Sequence, residues 1–206
     1  MTDTSESSPA LHESQTTRGT ARLHVWSTPE PRRRLLLGHG AGGGVQAPDL
    51  LAVAQALPGT GTEVWLVEQP WRVAGRRVAP APTTLDEAWV QVLADVPRDL
   101  PLLVGGRSAG ARVACRTALA TGATGVVALA FPLHPPGKPE KSRAGELDGA
   151  GVPVLVVQGA NDPFGGPGEI AAAPGRAVVS VAGDHSLRSD TAAVVAAVAG
   201  FVSRWP

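Results

Sequence analysis

Cysteine is almost missing from this chain: Cys115 is the single one. A lone thiol excludes an internal disulfide and any multi-cysteine zinc or iron–sulfur site. An excess of one charge is missing too, since 18 basic residues balance 18 acidic ones. A nucleic-acid binder held by bulk electrostatics usually carries a large basic surplus, so no nucleic-acid partner is expected. Lysine is scarce, with 2 lysines against 16 arginines. Together with abundant alanine, this reads as the codon bias of a GC-rich genome. No apolar run approaches the ~18 residues of a transmembrane helix, so no membrane partner is expected. The first twenty residues, MTDTSESSPALHESQTTRGT, lack the basic start and apolar stretch of a secretory signal. The expectation is a soluble, cytoplasmic protein. Its 206 residues, 43% of them hydrophobic, suffice for one domain around a single core.

What is present divides into two parts. Residues 1–19 are polar and rich in Ser, Thr and Glu, too poor in apolar surface to offset the entropy of ordering. They are expected to form a disordered tail, with the folded domain spanning 20–206. From there the chain alternates. Apolar runs of strand length occur at Arg33–Leu37, Glu63–Val67, Leu102–Val104, Gly125–Ala130, Val154–Val157 and Ala177–Val181, with an extra candidate at Ala21–Trp26. Helical patterns fall between them at Pro48–Leu57, Leu85–Val96, Ala109–Thr121 and Thr191–Ser203, with a short one near Glu169–Ala173. Thr84 and Glu87 have the spacing of a capping box for the second of these. Unalternated Val/Leu/Ala strands separated by helices predict an α/β protein: a doubly wound, mostly parallel sheet flanked by helices, without a cap domain. In such a sheet ligands bind beyond the carboxyl ends of the strands.

The sharpest motif lies at one of those ends. Gly106-Arg107-Ser108-Ala109-Gly110 follows the strand run PLLVG and precedes a helix. A G-x-S-x-G at a strand-to-helix turn is a nucleophile elbow: small flanking residues let the turn close and lift the serine hydroxyl clear of the sheet. An acid and a histidine should follow in that order. Strand VPVLVVQG runs into Asp162, and strand AVVSVAG runs into His185, so Ser108, Asp162 and His185 fall on one edge of the sheet. Serine needs a base, and histidine needs an acid to fix its tautomer and stabilise the imidazolium. Asp184 is a competing acid, but adjacent residues rarely face each other well. Cys115, one or two turns into the elbow helix, is expected to be buried rather than nucleophilic. Trp26, Trp89 and Trp205 read as core or edge packing.

A glycine cluster, Gly38-His39-Gly40-Ala41-Gly42-Gly43-Gly44, follows an earlier strand. An H-G-x-G loop there supplies an oxyanion donor that pairs with the amide after the nucleophile, which makes Ala41 (or Gly42) and Ala109 the candidate donors. The same glycines also satisfy a dinucleotide fingerprint, with Glu68 at the end of the next strand. That rival requires a helix starting within the glycines, whereas the helical pattern begins near Pro48. Loops 68–77 and 131–138 follow strand ends and border the site, either as a substrate wall that suits an anionic or carbonyl-bearing group or as a solvated basic surface with one packed Trp. His39, Gly40, Gly42, Trp71, Arg72, Arg107 and His134 are the candidate substrate-binding residues.

The segments HGAGGG, EQPWRVAGRR, GGRSAGARVA, FPLHPPGKPEKSR, QGANDPFG and GDHSL together resemble the small dienelactone-hydrolase-like α/β hydrolases. More narrowly, they resemble the branch containing the testis-expressed hydrolase-like protein and a subunit of a histone-acetyltransferase complex. The resemblance spans about residues 33–187. It implies the α/β-hydrolase fold and triad roles for Ser108, Asp162 and His185. Ser108 departs from the cysteine nucleophile of dienelactone hydrolases proper. The reading is a serine hydrolase that uses no cofactor or metal and cleaves a small acyl ester or thioester in a shallow, open site. The alternative from another class is a non-catalytic interaction module that keeps the fold.

Overall fold

Runs of Leu and Val without polar alternation are stable as strands only where both faces are covered. The computed structural model, which describes residues 8–206, buries them in that way. Its elements are β1 (Ala10–Thr16), β2 (Gly19–Trp26), β3 (Arg33–Gly38), α1 (Pro48–Ala56), β4 (Thr62–Glu68), α2 (Pro70–Val73), α3 (Pro82–Ala94), β5 (Leu102–Arg107), α4 (Ala109–Thr117), β6 (Gly125–Leu129), α5 (Ala144–Asp148), β7 (Val154–Gly159), β8 (Arg176–Val181) and α6 (Thr191–Val202). One eight-stranded sheet runs in the order β1-β2-β4-β3-β5-β6-β7-β8. Strands β3 to β8 are parallel, while β1 and β2 join the β4 edge antiparallel.

Alternate residues of the central strands feed two cores. Leu36, Val104, Val126 and Val156 meet Trp89 of α3 and Val113 of α4 on one face. Leu35, Leu37, Leu103 and Val127 meet Leu50 of α1 and Val198 of α6 on the other. At ~25 cal/mol per Å² of apolar surface removed from water, this double cover is the main force fixing the strand ends. Trp26 and Trp89 are buried, and Trp205 packs edge-on against Phe201. Cys115 is buried, and desolvation pushes its thiol up to about 12, which leaves it inert. Among the described residues, no helix is long and apolar enough to cross a membrane.

Three expectations need correction. Residues 10–16, assigned to a tail, form edge strand β1, paired with β2 from Ala10–Val25 to Thr16–Gly19. Its side chains are mostly exposed, so backbone pairing rather than apolar content orders it; residues 1–7 lie outside the described part. The Thr84–Glu87 capping box does not form. Pro82 starts α3 a turn earlier, which puts Thr84 inside the helix, and Glu87 pairs with Arg18 instead. Near Glu169 there is one short 3₁₀ turn, Pro167–Glu169, in place of a helix.

Candidate active site

Between the end of β5 and the start of α4 the chain has one residue in which to reverse direction, and that residue is Ser108. It takes φ 54° and ψ −110°, a conformation costly for any residue with a Cβ. Its amide donates to the Leu129 carbonyl at 2.9 Å, which ties the turn to β6. The flanking glycines are required by space. A Cβ on Gly106 or on Gly110 would lie 2.4 Å from the Gly38 carbonyl oxygen.

The loops after β7 and β8 bring the other two residues to this turn. Ser108 Oγ lies 2.9 Å from His185 Nε2, and His185 Nδ1 lies 2.8 Å from Asp162 Oδ2. With the hydroxyl donating to Nε2, the ring carries its proton on Nδ1 and donates it to the carboxylate. Asp162 is buried, and its Oδ1 accepts the Phe164 amide at 2.8 Å. Asp184 does not compete. Its carboxylate turns back to accept the Ser186 amide and hydroxyl at 2.9 and 2.6 Å, and these bonds hold it below the usual carboxylate range.

Two neighbours of the series escaped the reading of the sequence. Gln158, fully buried, donates from Nε2 to Asp162 Oδ2 at 2.9 Å and to the Gly165 carbonyl at 2.7 Å, and it accepts the Phe131 amide at 2.9 Å. The signal was available, because a glutamine at the end of a run of buried valines needs partners. The centre of the Phe164 ring lies 4.3 Å from that of the His185 ring.

The oxyanion candidates and the substrate wall divide. Ala109 is the first residue of α4, so its amide has no partner within the helix. Ala41 borders the same small cavity as Ala109, together with Gly40, Trp71, Leu85 and Val113. Gly40 lies against the elbow, where a Cβ would be 3.4 Å from Ser108 Cβ. Gly42 faces open space, and Arg72 reaches toward Gly44 at the rim.

His39, Arg107 and His134 each hold polar contacts within the protein, and His39 also lines the small cavity beside Gly40 and Ala41. His39 is buried; its Nδ1 donates to the Gly40 carbonyl at 2.9 Å and its Nε2 accepts the Gln69 amide at 3.1 Å. Burial pushes this imidazole below its ordinary range, so it is a neutral strut between the glycine loop and the segment after β4. Trp71 packs on it with ring centres 5.5 Å apart. Arg107 turns behind the elbow, where Nη2 donates to the His185 carbonyl at 2.8 Å. His134 spans the Pro135 carbonyl at 3.0 Å and Glu169 at 3.1 Å, contacts that raise its pKa. The dinucleotide alternative also loses its elements. Glu68 faces Arg22 and His24, at 3.4 and 3.6 Å, and α1 begins only at Pro48, beyond the glycines.

A family model described as an alpha/beta hydrolase domain matches residues 31–196. No curated protein sequence matches the chain. Among solved structures, a member of the α/β serine hydrolases without lid from Xanthomonas campestris superposes with a TM-score of 0.74 at 19% identity, covering 97% of this chain and 95% of that one. An α/β serine hydrolase homologue from Coxiella burnetii gives 0.76 at 14% identity, over 95% and 98% of the two chains. Est1E from Butyrivibrio proteoclasticus gives 0.75 at 14% identity, over 97% and 99%. At these identities the likeness establishes the fold, with no cap among the described residues.

Proposed function

The chain belongs to the α/β hydrolase domain family, and on that premise we propose that it is a serine hydrolase cleaving small carboxylic esters or thioesters through an acyl-enzyme. The observation that carries this reading is the unbroken hydrogen-bonded series from Ser108 through His185 to Asp162. It ends on a serine held in a strained turn, which no packing role requires.

In the proposed reaction, His185 Nε2 takes the Ser108 proton as Oγ attacks the acyl carbonyl carbon. The Ala41 and Ala109 amides stabilise the resulting oxyanion, a contribution of about 3–4 kcal/mol for one good donor. Asp162 holds the Nδ1 tautomer and stabilises the imidazolium. His185 then passes its proton to the leaving oxygen or sulfur. Water, deprotonated by the same nitrogen, hydrolyses the acyl-enzyme and releases the acid. The absence of a cap over the described site favours small or flexible acyl groups. The resemblance to the dienelactone-hydrolase-like enzymes supports an acyl substrate, with Ser108 standing where dienelactone hydrolases proper carry cysteine.

The test is steady-state hydrolysis of a panel of p-nitrophenyl esters and acyl thioesters from two to eight carbons, chain lengths chosen on the order of the site's openness. Ser108→Ala and His185→Ala should each lower kcat by about 10⁴-fold or more. Unchanged turnover in either variant would overturn the triad assignment.

A further inference from the structure

Asp49 is an unusual residue for its place. A first-turn acid on a helix ordinarily complements the dipole from the surface. Asp49, in the first turn of α1, is instead 0% exposed, and neither carboxylate oxygen meets a hydrogen-bond donor in good geometry. Its counter-charge is Arg107, whose Nε lies 3.3 Å from Oδ2. Burial raises the carboxyl pKa, and the guanidinium, the first-turn amides of Leu50 and Asp49, and nearby His185 oppose that rise. A buried carboxylate costs several kcal/mol unless paired, so a pair this imperfect is poor evidence of a stabilising role.

The other end of the guanidinium shows what the pair does. Nη2 donates to the carbonyl of His185 itself at 2.8 Å, and Nη1 lies 3.4 Å from where a Gly40 Cβ would stand. Arg107 precedes Ser108 in the chain. One planar group therefore bonds the histidine loop and stands beside the glycine loop, with Asp49 of α1 as its counter-charge.

We infer that Arg107, anchored by buried Asp49, is a positioning residue that sets His185 against Ser108. The inference deepens the proposed hydrolase reading and rests on it for its kinetic consequence. Arg107 neither touches substrate nor moves a proton. It acts by fixing the His185 backbone, and an error of about 1 Å in such a placement costs on the order of 100-fold in rate.

The test uses Arg107→Met, Asp49→Leu and the double variant. Removing one partner leaves an unpaired buried charge, so each single variant should lose stability; the double variant, an apolar pair, should regain it. Because the arginine is still missing, its kcat should stay about 30- to 100-fold below wild type, with KM within about threefold. Recovery of kcat together with Tm in the double variant would make the pair merely structural and overturn the inference. The second readout needs no activity: amide hydrogen exchange of residues 183–188. The double variant should exchange about tenfold faster there than wild type, with other segments unchanged. Exchange unchanged in that loop overturns the inference even if the wild type hydrolyses nothing, whereas an inactive wild type with a loosened loop overturns the hydrolase reading alone.

Discussion

Ser108 stores strain at the reacting atom. Its φ of 54° is uncommon for a residue with a Cβ and is held by the close approach of Gly106 and Gly110 to Gly38. Such strain costs about 1–3 kcal/mol, against ~0.5–1 kcal/mol of extra chain entropy lost by glycine at the same position. Ser108→Gly should therefore be inactive yet more stable by about 1 kcal/mol, read in urea unfolding as a higher midpoint at unchanged slope. His39 gives a pH signature. Burial lowers its pKa, so below its ordinary value of about 6.5 the unfolded chain binds a proton that the folded chain resists. The stability this group contributes is complete above that pH and is lost as pH falls toward the folded value. Comparing unfolding at pH 7.5 and 5.5, within about a unit of that value, should show a loss in wild type that is smaller in His39→Gln.

At the scale of elements, the approach of the elbow to the end of β3 is a tight point of the site. Gly110→Ala places a methyl 2.4 Å from the Gly38 carbonyl, and backbone on both sides leaves nothing flexible to yield. The expected cost is about 2–3 kcal/mol, seen as a fall in Tm, with activity lost at temperatures where the variant is still folded. The elements legible in the sequence were those whose signal is burial. Strands β3 to β8 and the helices α1, α3, α4 and α6 announced themselves by apolar runs and spacing. Strand β1 did not, since its ordering comes from backbone bonds to β2 and leaves HESQ side chains mostly in water. Helices α2 and α5 are too short, at 4 and 5 residues, to show a period. The capping box failed because Pro82 outranked Thr84 as the helix start.

For the molecule as a whole, motif order predicted more than motif content. Ser108, Asp162 and His185 stood out because each follows a strand of the parallel sheet, buried in β5 and β7 and half-buried in edge strand β8, and parallel strands deliver their carboxyl ends to one edge. Side-chain direction was not legible in the same way. His39, Arg107 and His134 occupy the right loops, but their polar atoms turn inward to satisfy backbone carbonyls, amides or carboxylates. Gln158 and Asp49 support the site from within strand and helix patterns that read as ordinary core. The most direct measurement is intact-mass detection of fluorophosphonate labelling. Wild type should gain one phosphonyl group at Ser108 within minutes, on the order of the rates of activated serines, while Ser108→Ala and His185→Ala gain none. A folded wild-type protein that stays unlabelled would contradict the proposed serine hydrolase.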